Sequence, residues 1–105
     1  MQQEQVIHKI KQLAQHLVPE GSHLWLYGSR ARGDNRPDSD WDLLLLLNKD
    51  KETKNDFDNI SYPLIELGLD LGQHISVHTY TRKDWNRLSF SPFRHNVEQD
   101  KKVII

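Results

Sequence analysis

Two short apolar runs separated by a polar segment constrain the fold of this sequence more than any other feature. The runs cover residues 24–27 (LWLY) and 43–47 (LLLLL), and residues typical of turns flank both of them. Apolar runs this short suit buried strands better than helices, whose mean length is about 11–12 residues. We therefore predict a strand, a polar loop and a second strand, and the loop is where we expect a functional site.

The loop begins with Gly28 and Ser29, directly after the first predicted strand, and residues 30–32 can form a helical turn. The first N–H groups of a helix have no backbone partner, so they would face an anion such as phosphate. Arg30 and Arg32 could reach phosphate oxygens, although exposure to solvent is an equally good interpretation of both side chains.

The loop ends with Asp40 and Asp42, two residues apart at the start of the second predicted strand. Because strand side chains alternate between faces, both carboxylates would point to one side and Trp41 to the other. Two like charges this close repel each other unless a cation or hydrogen-bond donors neutralise them. Mg²⁺ bound together with substrate phosphates would do so.

Size and composition narrow the classes of function. With 105 residues we expect a single domain over residues 1–105 with one modest core. A net charge of −1 gives no field that would attract nucleic acid, so a polynucleotide substrate is not favoured. Cysteine is lacking, the start is polar, and no apolar run approaches the roughly 20 residues of a membrane span. We expect a cytoplasmic protein with no membrane contact.

Periodicity and capping signals predict the remaining elements. An apolar stripe at steps of three and four residues indicates an amphipathic helix over Gln3–Leu17. His74, Ser76 and His78 alternate with apolar residues, which indicates a third strand that carries these three on one face. We further predict a helix over residues 57–68 with a kink or new start near Pro63, a capped helix over 81–88, a helix over 92–100 and an extended end over 103–105.

The spacing of the loop residues resembles a known signature. Gly28-Ser29, ten intervening residues and then Asp40-Trp41-Asp42 resemble the motif of the DNA polymerase beta-like nucleotidyltransferases. GSRARG followed by SDWDL is similar to the minimal nucleotidyltransferases, the branch of the MntA-like antitoxins, and so is the ending SPFRHNVEQDKKVII. The resemblance therefore runs over almost the whole chain.

This resemblance implies a fold and an activity. The fold would be α+β, a small mixed sheet packed with helices as in the palm-type core of the family. The activity would be Mg²⁺-dependent transfer of AMP from ATP to a protein hydroxyl, with the tyrosine of a HEPN-type helical toxin as acceptor. Gly28 and Ser29 would hold the terminal phosphates, and Asp40 and Asp42 would hold one or two Mg²⁺ ions.

The sequence departs from the family at the third carboxylate, which active members carry on the third strand. Our alignment puts His74 there, while Asp70 lies four residues earlier, in what we predict to be the preceding loop. His74 is a poor Mg²⁺ ligand but could act as a general base. An alternative is therefore a catalytically weakened domain that binds and neutralises or completes a partner. A third option, transfer to a small-molecule hydroxyl, would need more chain for an acceptor domain.

Overall fold

A computed structural model describes residues 2–105, which form a four-stranded sheet with helices on both faces. The order across the sheet is β3-β2-β1-β4; β2 runs parallel to β3, and β1 is antiparallel to both β2 and β4. The prediction of a small mixed sheet in an α+β fold is confirmed. The strands are β1 (His23–Tyr27), β2 (Trp41–Leu47), β3 (Ile75–Thr81) and β4 (Lys102–Val103).

The helices follow the predicted order. A π-helical segment, Phe57–Ser61, continues directly into α4, which begins at Tyr62 with Pro63 in its first turn. The predicted new helix start near Pro63 is confirmed, because the first turn of a helix tolerates proline. The α-helices are α1 (Gln3–Leu17), α2 (Ser29–Arg32), α3 (Lys54–Asp56), α4 (Tyr62–Asp70), α5 (Arg82–Arg87) and α6 (Pro92–Asp100).

Side-chain caps explain where the last two helices start. The Thr81 hydroxyl accepts a hydrogen bond from the Asp84 backbone N–H at 3.1 Å, and the Ser91 hydroxyl accepts one from the Phe93 N–H at 3.1 Å. Each satisfies an N–H group that the first helical turn leaves unpaired. The predictions made from Thr81 and Pro92 are confirmed.

Three predicted placements are corrected. His74 directly precedes β3, which begins at Ile75, so it does not lie within the third strand. Asp70 is the last residue of α4 and does not lie in the loop before β3, because the helix continues past Gly68. Asp40 directly precedes β2, which begins at Trp41, so only Asp42 of the two carboxylates lies within the strand.

The two faces of the sheet differ in composition. The first, which we call the aliphatic face, packs against α1 and α4 and contains most of the buried leucines. The second, the aromatic face, packs against α5 and α6. Buried strand residues of the aliphatic face are Leu24, Leu26, Trp41, Leu43, Leu45, Leu47 and Ile75. Those of the aromatic face are Trp25, Leu44 and Leu46, with Trp85 and Val97 added by the helices.

The leucine run forms a strand because β2 is central and buried on both sides. Leu43 and Leu45 point to the aliphatic face, while Leu44 points to the aromatic face, and all three are 0% exposed. A strand covered on both faces is apolar at successive positions and loses the usual alternation. Asp42 is the one position of β2 that is polar, and it marks the end of the sheet where the cover opens.

Candidate active site

Polar side chains meet at one end of the aromatic face, where β1 ends and where β2 and β3 begin. Asp42 lies opposite Tyr27 of β1 and opposite Ser76 of β3. Directly opposed residues of neighbouring strands point to the same face, so these three side chains are neighbours. His78 lies two residues further along β3 and packs edge-to-face on Tyr27, with 6.2 Å between ring centroids.

Gly28 brings the loop backbone against the Asp42 carboxylate. Its φ is +74°, a backbone conformation that residues with a side chain rarely adopt, and a Cβ at this position would lie 2.6 Å from Asp42 Oδ2. Glycine is therefore required here for two separate reasons. The close approach means that a group bound at the start of α2, where the half-buried Ser29 lies, would be beside Asp42.

The environment of Asp42 disfavours its negative charge. Burial, and then the nearby Asp40 carboxylate, raise the pKa of Asp42 above its ordinary value, although His78, His74 and Arg32 act in the opposite direction. A bound cation would relieve this unfavourable charge, so the arrangement fits a cation together with its anionic ligands.

Tyr27 stays protonated over the physiological range. Burial, followed by the charge of Asp42 and the proximity of Tyr80, raises the pKa of Tyr27 to about 12. The Tyr27 side chain thus acts as a neutral wall of the site.

Asp40 and His74 form a pair at the edge of the site. His74 Nδ1 lies 2.7 Å from Asp40 Oδ1, and the Trp41 N–H donates to the His74 carbonyl oxygen at 2.8 Å. Both side chains are open to solvent, 69% for His74 and 52% for Asp40, so the pair adds little to stability. The sequence placed His74 on the face of the carboxylates, and its neighbour is Asp40, while Ser76 lies beside Asp42.

Arg30 is a structural residue of the loop. It is only 6% exposed, and its guanidinium donates to the carbonyl oxygens of Pro37, at 3.1 Å, and Ser39, at 2.9 and 3.3 Å. The guanidinium also stacks over Trp41, with Cζ 4.5 Å from the ring centroid. These contacts occupy the group that the sequence suggested for phosphate, so we assign Arg30 to holding the loop closed.

Arg32 faces the other way and is exposed. It pairs with Asp34 at 3.2 Å and with Asp100 of α6 at 3.7 Å. A cavity of about 190 Å³, which we call the α6 pocket, lies between α2, α6 and the end of β1. Its lining includes Tyr27, Gly28, Arg32, Phe93, Asn96 and Asp100.

Sequence reasoning singled out no role for several of these residues. Ser76 and His78 share the face of His74 by simple alternation, which was a usable signal. The α6 residues Phe93, Asn96 and Asp100 carry no such signal, because α6 is more than 60 residues from Gly28 in sequence and only the packing of α6 brings them together.

Comparison with known families identifies the class of this protein. A family model described as "Nucleotidyltransferase domain" matches residues 7–105, and the chain belongs to this family. A comparison with curated protein sequences finds no significant match. None of the helices in the described part of the chain is long and apolar enough to cross a membrane.

Two solved structures share the fold. A toxin-antitoxin crystal structure with AMP-PNP superposes with a TM-score of 0.65 at 19% identity, covering 94% of this chain and 72% of that chain. A Sulfolobus solfataricus protein assigned as a nucleotidyltransferase superposes with a TM-score of 0.54 at 21% identity, covering 96% and 84% respectively. At these identities the likeness concerns the fold.

Proposed function

We propose that this protein is a Mg²⁺-dependent nucleotidyltransferase that transfers AMP from ATP to a hydroxyl group of a partner protein. The observation that carries the proposal is the close approach of Gly28 to Asp42, because it puts the loop that we propose for phosphate binding directly beside a carboxylate. Nucleotidyl transfer needs these two elements together, because the phosphates must be held while their charge is neutralised.

Each part of the substrate has a candidate partner in this chain. The Ser29 hydroxyl and the backbone amides of Gly28 and Ser29 would hold the terminal phosphates, with Arg32 within reach from the end of α2. Asp40 and Asp42 would hold one or two Mg²⁺ ions, which supply positive charge at the reacting phosphate.

The donor set fits an ion that is completed by substrate. No group of three or more His, Cys, Asp or Glu side chains within residues 2–105 is arranged to hold a metal ion. Two carboxylates leave most positions of an octahedral ion to phosphate oxygens and water, which is how Mg²⁺ is usually held in nucleotide sites.

The partner is proposed from similarity. The structural neighbour with AMP-PNP is a toxin-antitoxin complex, and the sequence resembles the minimal nucleotidyltransferase antitoxins. We propose that this chain acts as such an antitoxin and that its acceptor is a tyrosine of a HEPN-type toxin.

Transfer can be tested with labelled ATP, Mg²⁺ and a HEPN-type helical protein as the candidate acceptor. We expect label on that protein, and none with the double variant Asp40→Ala and Asp42→Ala. Label that persists at the wild-type level in the double variant would show that the site lies elsewhere.

A second function is favoured by the third strand. Ser76 lies opposite Asp42, and His74 pairs with Asp40, so neither position offers a third carboxylate. The domain could then act by binding, covering a toxin without modifying it. A stable complex of the two proteins that protects cells equally well in wild type and in the double variant would identify this mode.

A further inference from the structure

Large apolar side chains are exposed on the outer side of α4, which packs on the sheet face opposite the candidate site. Phe57 in the π-helical segment is 43% exposed, Tyr62 in the first turn of α4 is 50% exposed, and Leu69 near its end is 71% exposed. None of the three belongs to the core, which α4 contacts through Leu64. Single exposed apolar residues are ordinary, but a contiguous exposed patch marks an interaction surface.

The π-helical turn brings the two aromatic rings together. The Tyr62 N–H donates a hydrogen bond to the Phe57 carbonyl oxygen, five residues back, and the two ring centroids lie 6.4 Å apart. In a regular α-helix, residues five apart point about 140° away from each other around the axis, so the rings would be separated. π-helical turns are rare and occur frequently at functional sites. Here the turn produces an exposed aromatic pair outside the core.

Helical spacing extends this pair along α4. Glu66 and Leu69 follow Tyr62 by four and seven residues, which puts all three on one side of the helix. The other side packs tightly on β3, since a Cβ at Gly68 would lie 2.8 Å from Ile75 Cγ1. The exposed side forms a continuous surface, which we call the α4 patch and define by four residues: Phe57, Tyr62, Glu66 and Leu69.

The charges on and beside the α4 patch are acidic. Glu66 and Asp70 are exposed and form no ion pair within residues 2–105, whereas Asp58 is paired with Lys54 at 3.5 Å. A second copy of this chain is a poor occupant, because a symmetric interface would bring Glu66 and Asp70 toward the same carboxylates of the other copy. A surface that presents Lys or Arg beside apolar groups is complementary to the patch.

We propose that the α4 patch docks a helix of the partner protein, one whose apolar side chains are flanked by Lys or Arg. Two helices pack by interlocking their side-chain ridges, and aromatic anchors carry much of the energy of protein interfaces. The inference rests on the proposed function, which supplies a helical partner, and it adds the surface that holds that partner. Docking and nucleotide binding then use opposite faces of the sheet, so each should survive loss of the other.

Calorimetry with a HEPN-type helical protein as the candidate partner measures docking separately from transfer. We expect wild type to bind it, and the double variant Tyr62→Ala and Leu69→Ala to bind about tenfold or more weakly, because a few anchors dominate interface energies. Glu66→Lys should weaken binding about tenfold at low salt. Its binding should also depend less on salt than that of wild type, since a favourable charge contact has been removed.

Two variants of exposed positions outside the α4 patch serve as controls. Phe90→Ala removes an aromatic side chain that is 99% exposed, and Glu20→Lys reverses an exposed charge in the turn after α1. Both should bind the partner like wild type. Patch and control variants alike should keep the far-UV circular dichroism of wild type and its affinity for ATP in Mg²⁺.

The outcomes separate the two proposals. If the patch variants bind the partner as wild type does, or if the controls lose as much affinity as the patch variants, the inference is overturned while the proposed transfer stands. The inference is also overturned if wild type does not bind the partner, or if sedimentation shows a dimer of wild type that the patch variants break. If wild type binds the partner through the patch but transfers no label from ATP, docking stands and the proposed transfer fails.

Discussion

The aliphatic and aromatic faces are built from the same three long strands, yet only the aromatic face leaves polar side chains accessible at one end. Apolar groups cover the strands along the whole aliphatic face, where strand residues such as Leu24 and Ile75 are buried against α1 and α4. The aromatic face is covered by α5 and α6 over only part of its length. Its open end carries Asp42, Ser76 and His78, and Gly28 lies against Asp42.

This difference separates stability from chemistry within a single sheet. Buried apolar area drives folding, so the aliphatic face should dominate the free energy of unfolding. Burial and the nearby Asp40 carboxylate raise the pKa of Asp42. The charged Asp42 carboxylate is therefore unfavourable for folding by itself and is useful only for binding a cation or substrate. The predictions below compare matched positions on the two sides of this division.

The sharpest comparison uses two neighbours on β2. Asp42→Ala should reduce transfer to background and leave the melting temperature unchanged or slightly higher, because it removes a partly buried, repelled charge. Leu43→Ala, on the opposite face and 0% exposed, should lose about 2–5 kcal/mol of stability. Thermal melts with transfer assays at a temperature where both variants are folded will decide. Full transfer by Asp42→Ala would remove the chemical role of the aromatic face.

Two glycines of the loop test the contact with Asp42. Gly28 and Gly33 have φ values of +74° and +86°, so alanine should destabilise either site by about 1 kcal/mol or more. Only at Gly28 does the new Cβ meet Asp42, at 2.6 Å, whereas nothing lies within 4 Å at Gly33. We expect similar melting temperatures and loss of transfer only in Gly28→Ala. Equal activity of the two variants would separate the loop from the chemistry.

The third strand can be tested by restoring a carboxylate. Ser76→Asp puts one beside Asp42, and His74→Asp puts one beside Asp40. We expect both to raise transfer, Ser76→Asp more, and His74→Ala to leave it unchanged. An added carboxylate should lower the melting temperature in chelator and increase the gain on adding Mg²⁺, since ligands that bind the folded state stabilise it. A Mg²⁺ response equal to that of wild type would place the metal elsewhere.

Substitution of Arg30 should affect mainly stability, whereas substitution of Arg32 should affect mainly ATP binding. Arg30→Ala removes three charge-assisted hydrogen bonds to loop carbonyls and should lose about 1.5–3 kcal/mol of stability. Arg32→Ala, which is exposed, should change the unfolding free energy by less than about 1 kcal/mol and weaken ATP binding. Denaturant unfolding and calorimetry measure the two quantities. Normal ATP binding by Arg32→Ala would exclude that side chain as a phosphate contact.

The smallest effect lies far from the chemistry, at the start of α3. Burial of Asp56 acts to raise its pKa, but the Thr53 N–H and hydroxyl and the Lys49 ammonium outweigh it and hold the pKa below the ordinary 3.8. The resulting stabilisation is present above that ordinary value and is lost as pH falls through the lowered pKa. Asp56→Asn should therefore lose less than about 1 kcal/mol at neutral pH and show a shallower acid dependence, measured by melts from pH 7 to pH 2. A parallel acid curve in the variant would assign the dependence to other carboxylates.

Most of the element pattern followed from the sequence, because it depends on neighbours within a few residues. The stripe of α1, the alternation in β3, the cap at Thr81 and the proline at position 92 are local signals, and these four elements appear within a residue or two of their predicted positions. The exceptions, Asp70 at the end of α4, Asp40 just before β2 and His74 just before β3, concern element boundaries, where local signals are weakest.

The site also combines features that follow from the local sequence with contacts that only the fold produces. Sequence by itself determined that Gly28, Ser29 and Asp40 lie between the first two strands and that Asp42 lies at the start of the second, since that follows from chain connectivity. Strand alternation also predicted that His74 shares a face with Ser76 and His78. Only the tertiary structure decided that Ser76 lies beside Asp42, because the register of β3 against β2 depends on packing across more than 30 residues of intervening chain.

The remaining differences between similar residues depend on which side chains the fold buries. Arg30 and Arg32 look alike in sequence, yet one is enclosed by the loop that follows it and the other reaches α6. The α6 pocket exists because Val97 and Phe93 dock on the aromatic face next to Gly28. Residue type and spacing determine which groups a chain can offer, whereas long-range packing decides which of them remain accessible, because a side chain's exposure depends on neighbours that are distant in sequence.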